Sequence, residues 1–216
     1  YNSCEHVYAP CQSMAQELAD NSMGNDVRIW SRGVNRSVFK PSMRNNNWRN
    51  TLGISDNDVV IGFVGRLVLE KGLDVFVKTI KMIEESNSRH KVLIVGEGPE
   101  RYNLERRLPH TIFTGFLEGN DLSKAYSSLD IFFNPSQTET FGNVTLEAMA
   151  SGLPCVCANA TGSSSLIADG ENGYLIDPDN IPLYAQALTK IINNPQKRKL
   201  MGRKSYEKSR DYDWEA

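Results

Sequence analysis

The sequence predicts an α/β protein whose main domain is a doubly wound parallel sheet. Short apolar segments rich in β-branched and aromatic residues alternate with longer segments in which apolar residues recur at helical spacing. The short segments are apolar throughout, which is typical of strands that helices cover on both faces. The chain has 216 residues, enough for one or at most two domains with a core. A Rossmann-like fold is therefore expected.

Six apolar segments are predicted to form the strands of this sheet, at residues 59–64, 92–95, 111–116, 130–136, 154–158 and 173–176. Helices are predicted at residues 73–85, from Pro99 onward, through 122–129, and at 144–150, 182–193 and 196–208. In the first of them Leu73, Val77 and Ile80 fall on one apolar stripe. No Gly-x-Gly-x-x-Gly follows the first strand, so a standard dinucleotide site is not expected.

The N-terminal quarter of the chain contains shorter predicted elements. An apolar piece at Val7–Pro10 precedes a predicted helix over residues 13–19 with Ser13 as its N-cap, and a short strand is expected at Val27–Trp30. Residues 43–50 are polar and rich in Asn and Arg, which leaves two readings open. They form a loop, or they begin a helix that ends near Gly53.

Composition excludes several classes of function. Lys and Arg number 24 against 26 Asp and Glu, so nothing points to nucleic acid as a partner. No apolar run reaches the length of a membrane-spanning helix. The four cysteines show no metal-ligand spacing, and Cys155 and Cys157 are expected to be buried thiols. A glycosylation sequon at Asn143 falls inside the candidate binding turn, where a glycan would block it, so a reducing cytoplasmic setting is expected.

Two carboxylates, Glu139 and Glu147, bracket a turn between the predicted strand at 130–136 and the helix at 144–150. A helix that begins behind a glycine offers free N–H groups and the positive end of its dipole, which suits a phosphate. Carboxylates accept paired hydrogen bonds from neighbouring hydroxyls, as on a ribose or a sugar. The alternative is a capping residue and a solvated helix face.

Further candidates follow other strands, because ligands of doubly wound sheets bind beyond the carboxyl ends of the strands. Gly65 and Arg66 follow the first strand and Lys71 comes five residues later, a pair of cations suited to a diphosphate or else ordinary surface charge. The turn at 96–99 lines the same cleft or is a simple left-handed turn.

These motifs, together with a Gly33-Val34…Phe39-x-Pro41 linker, resemble the retaining GT-B glycosyltransferases, a family that includes bacterial mannosyltransferases, sucrose synthases and glycogen synthases. The resemblance covers about residues 27–205, with Asn35 where Asp is usual. It is closest to the mannosyltransferase and sulfolipid-synthase-like branch. It implies transfer of a hexose such as mannose from a GDP- or UDP-sugar, with retention of configuration and with neither cofactor nor metal ion.

The resemblance also implies roles for the site residues. Arg66 and Lys71 hold the diphosphate, Glu139 contacts the hydroxyls of the transferred sugar, and Glu147 holds the ribose hydroxyls. Arg66, Lys71 and Glu139 are thus the residues expected to act in catalysis. The remaining donor contacts are expected from Gly65, from Phe116 and Leu117 at the nucleobase, and from Phe141, Gly142, Asn143 and Val144 at the sugar and phosphates.

The same resemblance predicts the domain organisation. Residues 1–26 are the end of a mostly missing N-terminal domain, 27–50 a linker, 51–209 the donor-binding domain, and 210–216 the start of a truncated helix. A lipid, glycan or small-molecule acceptor is expected to bind mainly to the missing domain, so the fragment should bind a nucleotide weakly and transfer nothing. The basic stretch 197–204 is a solvated helix face or a peripheral membrane contact.

Two alternatives to a transferase stay open. One is a GT-B relative of different chemistry, such as a phosphorylase or an epimerase. The other is a module that binds a nucleotide sugar without catalysis.

Overall fold

The structure is a computed structural model that describes residues 1–86 and 89–212. Two short strands pair in parallel near the N-terminus: β1 (Val7–Ala9) and β2 (Val27–Ile29), joined by helix α1 (Gln12–Asp20). The main sheet consists of β3 (Val60–Val64), β4 (Lys91–Val95), β5 (Ile112–Gly115), β6 (Ile131–Asn134), β7 (Cys155–Ala158) and β8 (Gly173–Ile176).

All pairings in the main sheet are parallel, and the spatial order is β5-β4-β3-β6-β7-β8. The chain thus builds outward from β3 in one direction and then, from β6, in the other. This is the doubly wound arrangement, and the order reverses between β3 and β6. The predicted fold class is confirmed.

The remaining helices connect and cover the strands. They are α2 (Asn46–Thr51), α3 (Leu73–Glu85), α4 (Arg101–Arg107), α5 (Gly119–Ser127), α6 (Asn143–Ala150), α7 (Thr161–Leu166), α8 (Ile181–Ile192) and α9 (Pro195–Lys208). Short 3-10 turns lie at Pro41–Met43, Leu69–Lys71 and Ser209–Tyr212. Residues 213–216, within the stretch where a further helix was predicted to begin, lie outside the described residues.

The core forms two layers, one on each face of the sheet. Phe132 and Phe133 are neighbours on β6 and therefore point to opposite faces. Phe133 stacks on Phe76 of α3, with 5.1 Å between ring centroids, whereas Phe132 packs near Tyr126 of α5. Burial on both faces explains why the strands are apolar throughout. Cys155 and Cys157 are buried free thiols, as predicted.

Two local predictions have different outcomes. The polar stretch before Gly53 contains a helix, α2, which Asn45 caps by accepting a hydrogen bond from the Trp48 N–H at 2.9 Å. The prediction of Ser13 as an N-cap is wrong, because the N-cap of α1 is Cys11, two residues earlier. The Ser13 hydroxyl instead contacts the Ser165 hydroxyl at 2.9 Å. Helix α7 was not predicted.

Candidate functional site

The main cleft of the molecule, about 990 Å³, opens beyond the carboxyl ends of the sheet strands and reaches the point where the strand order reverses. Its walls include all eleven residues predicted from the sequence to contact the donor: Gly65, Arg66, Lys71, Phe116, Leu117, Glu139, Phe141, Gly142, Asn143, Val144 and Glu147. Residues that follow three different strands, β3, β5 and β6, therefore meet in one place.

Lys71 and Glu139 form an ion pair across the point where the strand order reverses. The Lys71 Nζ lies 2.8 Å from the Glu139 Oε1, and the two side chains are only 17% and 14% exposed. Lys71 follows β3 and Glu139 follows β6, so a parallel sheet is what brings them together. The pair places a cation and a carboxylate side by side on the floor of the cleft.

Gly72 allows the two loops that carry this pair to approach closely. It adopts a left-handed conformation with φ +71°, and a Cβ there would lie 2.5 Å from the carbonyl oxygen of Pro135. The same loops are joined by a hydrogen bond from the Thr138 hydroxyl to the Glu70 carbonyl oxygen at 3.3 Å. Only glycine meets both demands at position 72.

Arg66 differs from Lys71 in its surroundings. Its side chain is 73% exposed at the rim, and its guanidinium group pairs with Glu70 at 3.0 Å, one helical turn along the chain. An exposed pair of this kind contributes little to stability. The Arg66 side chain is therefore free to turn toward an anion that enters the cleft.

Helix α6 directs its amino end at the cleft. Gly142 precedes it with φ +92°, and no side chain caps the first turn. Phe141 is buried and packs edge-to-face against Tyr212, with 5.9 Å between the ring centroids. This packing holds the turn that precedes α6 in place. Gly162 backs the same loop, and its N–H donates to the Glu139 carbonyl oxygen at 2.7 Å. The N–H groups of the first turn, at Asn143 and Val144, are thus available to an anion.

Glu147 belongs to α6 and lies half-buried in the wall of the cleft. Burial raises the pKa of its carboxyl group to about 7, and the nearby Tyr126 hydroxyl lowers that pKa in part. A carboxyl group with this pKa is half ionised at neutral pH. Glu139 and Glu147 therefore occupy different electrostatic environments within one cleft.

The glycine turns after β3 and β4 pack backbone against backbone. A Cβ on Gly96 would lie 1.9 Å from the carbonyl oxygen of Gly65, and the Gly65 N–H donates to the Val95 carbonyl oxygen at 3.0 Å. Gly96 and Glu97 line the cleft, as the first of the two alternatives for the turn at residues 96–99 predicts. Phe116 is 70% exposed at the rim and Leu117 lies beside it.

Sequence reasoning missed one wall of the cleft. Tyr8, Pro10, Trp30, Ser31 and Arg32 line it from the N-terminal part of the chain. These residues lie in or directly after β1 and β2, so the rule that placed the other candidates at the carboxyl ends of parallel strands would have found most of them. Tyr8 and Trp30 form an exposed edge-to-face pair with ring centroids 5.9 Å apart.

Within residues 1–86 and 89–212, no three side chains of the metal-ligating types come together. No helix in the described ranges is long and apolar enough to span a membrane.

A doubly wound sheet with its cleft at the strand-order reversal has the architecture of the C-terminal domain of GT-B glycosyltransferases, and solved structures similar to this one are of this class. The family model described as glycosyl transferases group 1 matches residues 44–208. The chain belongs to this family.

Curated relatives match along the entire chain. A GDP-mannose-dependent alpha-mannosyltransferase of Corynebacterium glutamicum is 35% identical over 216 residues, covering 100% of this chain and 51% of the relative. A sulfoquinovosyl transferase of Arabidopsis thaliana is 32% identical over 225 residues, covering 100% of this chain and 43% of the relative. The chain thus spans about half the length of the curated relatives it matches.

Solved structures agree with the fold. The C-terminal domain of a glycosyl transferase group 1 family protein from Francisella tularensis has a TM-score of 0.72 and 25% identity, covering 84% of this chain and 100% of that one. The Anabaena protein HepE, solved in complex with UDP-glucose, has a TM-score of 0.85 and 23% identity, covering 98% of this chain and 61% of HepE.

Proposed function

We propose that this chain is the donor-binding part of a retaining hexosyltransferase that uses a nucleotide diphosphate sugar. The observation that carries the proposal is the meeting of Lys71, Glu139, Glu147 and the amino end of α6 in one cleft. A cation and free N–H groups suit phosphates, whereas two carboxylates suit two sets of hydroxyls. A nucleotide sugar carries both kinds of group.

The ion pair between Lys71 and Glu139 supports separate roles for the two residues in binding the donor. Without ligand, each side chain satisfies the charge of the other at 2.8 Å. The donor would replace this pair, since its diphosphate offers Lys71 an anion and its sugar offers Glu139 hydroxyl donors. In this proposal Arg66 turns from Glu70 to the diphosphate, and Glu147 accepts hydrogen bonds from the ribose.

The chemistry follows from where negative charge develops. Breaking the bond between sugar and phosphate leaves a nucleotide diphosphate, and fixed positive charge stabilises that leaving group in the transition state. Lys71, Arg66 and the N–H groups of α6 supply this charge, so we propose a reaction that requires no metal ion. Retention of configuration is proposed from the family, and Glu139 is placed at the transferred sugar.

GDP-mannose, which would transfer mannose, is the donor that we test first. The GDP-mannose-dependent relative is 35% identical across the whole chain, whereas the neighbour solved with UDP-glucose is 23% identical. Phe116 and Leu117 are proposed to contact the nucleobase at the rim. Differences of a few kcal/mol in that contact decide between guanine and uracil.

The acceptor is proposed to be a lipid, glycan or small molecule that binds mainly to a further N-terminal domain, in a cytoplasmic protein. The basic stretch of α9 gives little support to a membrane contact. Arg198 donates to the carbonyl oxygens of Ile191 and Ile192, Arg203 pairs with Glu207, and Lys204 pairs with Glu171. Because these partners lie within the chain, we propose that the stretch is a solvated helix face and not a membrane contact.

Calorimetric titration with GDP, UDP and ADP tests the donor site. We expect one nucleotide to bind, and Arg66→Ala to weaken that binding about tenfold or more, because a charge-assisted contact to phosphate is lost. Arg203→Ala is the matched control, since Arg203 also forms an exposed pair with a Glu four residues later but lies outside the cleft. Absence of binding by all three nucleotides, or equal loss in both variants, would overturn the donor site.

Activity is tested separately, with GDP-mannose and UDP-glucose as donors. We expect residues 1–216 to bind without sustained transfer, and a chain with the N-terminal domain restored to transfer the sugar. Steady transfer by residues 1–216 would refute the proposal that this part is inactive alone. Turnover that depends on inorganic phosphate would instead identify a phosphorylase.

A further inference from the structure

Glu147 has an unusual set of neighbours for a carboxyl group proposed to bind a ligand. It is half-buried in the cleft wall, and burial is the larger influence on its pKa. The other influence is the hydroxyl group of Tyr126, which lowers that pKa. Lys71 and Arg66 engage Glu139 and Glu70 instead. Among the described residues, the phenol is therefore the polar side chain that acts on the Glu147 carboxyl group.

The Tyr126 hydroxyl is in turn an isolated polar group. The side chain is fully buried, and its oxygen has no hydrogen bond of ordinary geometry to any described residue. It lies near enough to Glu147 for each group to affect the pKa of the other. Buried hydroxyls are rarely left without a partner, so this one calls for an explanation.

Packing fixes the position of that hydroxyl. The Tyr126 ring lies between Phe39, at 5.7 Å and 81°, and Phe132 of β6, at 6.0 Å and 53°. Phe39 belongs to the segment that precedes the main sheet, and this segment is tied to α5 by two hydrogen bonds. The Ser123 hydroxyl donates to the Val38 carbonyl oxygen and the Ser127 hydroxyl to the Lys40 carbonyl oxygen, at 2.5 Å and 2.8 Å.

We propose that Tyr126 is a positioning residue for the site. Its ring, held between Phe39 and Phe132, presents the hydroxyl to the carboxyl group of Glu147 and orients that group toward the cleft. The hydroxyl also stabilises the ionised form of Glu147, because a phenol donates a hydrogen bond to a carboxylate. What the oriented carboxylate then binds, a ribose of the donor, rests on the function proposed above.

Other titratable groups around α6 do not account for the state of Glu147. Cys155 and Cys157 on β7 are buried thiols whose pKa values burial raises, so they stay neutral. Glu139, across the cleft, is paired with Lys71. The neighbouring α9 and the turn after it carry Arg203, Lys204, Arg210, Asp211 and Tyr212, and none of these is among the influences on the pKa of Glu147.

The first test follows the ionisation of Glu147 in the ligand-free chain. Carbon NMR of labelled Glu carboxyl groups, assigned with Glu147→Gln, reports its titration, which we expect to be centred at about pH 7. Tyr126→Phe removes only the hydroxyl, so the midpoint should rise. Tyr184→Phe is the matched control, because Tyr184 is equally buried but donates to the Ile176 carbonyl oxygen in the other core layer. An unchanged midpoint in Tyr126→Phe would overturn the proposal.

The second test measures nucleotide binding against pH. If the carboxylate is the form that binds, affinity in the wild-type chain falls roughly tenfold per pH unit below about pH 7. In Tyr126→Phe the fall should begin at higher pH, and in Glu147→Gln it should disappear. Equal pH profiles for the wild-type chain and Tyr126→Phe would contradict the positioning role. Failure of every chain to bind at pH 8 would count against the proposed function alone, since the NMR titration still decides the role of Tyr126.

Discussion

Glu139 and Glu147 are the same residue type eight positions apart, yet the fold holds them in opposite ways. Glu139 lies on a loop and pairs with Lys71 at 2.8 Å, a residue 68 positions earlier that follows a different strand. Glu147 lies on a helix, where burial raises its pKa to about 7 and the nearby polar group is a phenol. One carboxylate is held by charge, and the other by packing.

In the function proposed above, this difference would let one cleft hold two kinds of ligand group. An ion pair can be exchanged for a bound anion and a set of hydroxyls without leaving any charge alone. A half-buried carboxyl group without a cation is costly to ionise, and ligand donors reduce that cost. We therefore expect the region around Lys71 and Glu139 to accept an anion together with hydroxyls, and the region around Glu147 to accept hydroxyls alone.

The largest expected effect comes from breaking the loop contact beneath the ion pair. Gly72→Ala adds a Cβ 2.5 Å from the Pro135 carbonyl oxygen at φ +71°. Left-handed strain and overpacking together should lower the free energy of unfolding by about 3 kcal/mol. Urea unfolding at pH 7 measures this change.

Gly53 supplies the control for that experiment. It has nearly the same φ, +70°, with nothing within 4 Å of the added Cβ, so Gly53→Ala should cost only about 1 kcal/mol. If the two variants were equally stable, the close approach of the two loops would not be what requires glycine at position 72.

The ion pair itself should have the next largest effect. Lys71→Met removes the ammonium group that pairs with Glu139, whose side chain is only 14% exposed. We expect the free energy of unfolding to fall by about 2 kcal/mol, less than for a fully buried pair. Adding Glu139→Gln should recover part of the loss. A double-mutant cycle by urea unfolding measures the coupling, and a coupling energy near zero would mean that charge does not hold Glu139.

Glu147 should show the opposite behaviour, because removing its charge stabilises the fold. Its folded-state pKa is raised from a usual value of 4.5 to about 7, so the wild-type free energy of unfolding should fall as pH rises between those values. Glu147→Gln should match the wild type near pH 4.5 and exceed it by on the order of 1–2 kcal/mol at pH 8. Parallel stability curves for the two chains would contradict this.

Other carboxylates do not obscure that window. The pKa of Asp58 is lowered chiefly by a hydrogen bond from the Ser55 N–H. The pKa of Asp74 is lowered chiefly by a hydrogen bond from the Lys78 side chain. Their contributions are present above their usual pKa of 3.8 and are lost only as pH falls below it. The difference between the wild-type and Glu147→Gln stability curves from pH 4.5 to pH 8 therefore isolates the raised pKa of Glu147 from other groups, including the histidines.

The sequence was sufficient to predict the main sheet and eleven of the residues that line the cleft, because both depend on local pattern. Strand segments are apolar throughout, and site residues follow the carboxyl ends of strands. Nothing local indicates that Ser13 contacts Ser165, 152 positions away, and so the Ser13 cap was predicted wrongly. Helix α7, with the sequence Thr-Gly-Ser-Ser-Ser-Leu, has no apolar period to reveal it.

The neighbours of the two carboxylates were also beyond the sequence. Lys71 and Glu139 were assigned to different parts of a ligand, and their pairing depends on β3 and β6 being adjacent. Tyr126 lies in the helix predicted through residues 122–129, where a tyrosine is usually a core residue. Only the packing of α5 against α6 brings its hydroxyl to Glu147.

The smallest expected effect distinguishes Arg66 from Lys71. Glu70→Gln removes an i,i+4 pair whose partners are 73% and 55% exposed, so the free energy of unfolding should change by less than about 0.5 kcal/mol. Nucleotide affinity should rise about two- to threefold, because Glu70 no longer competes with a phosphate for Arg66. Glu207→Gln breaks the similar pair with Arg203 and should leave affinity unchanged. Calorimetric titration of both variants decides, and equal affinities would mean that Arg66 does not reach the nucleotide.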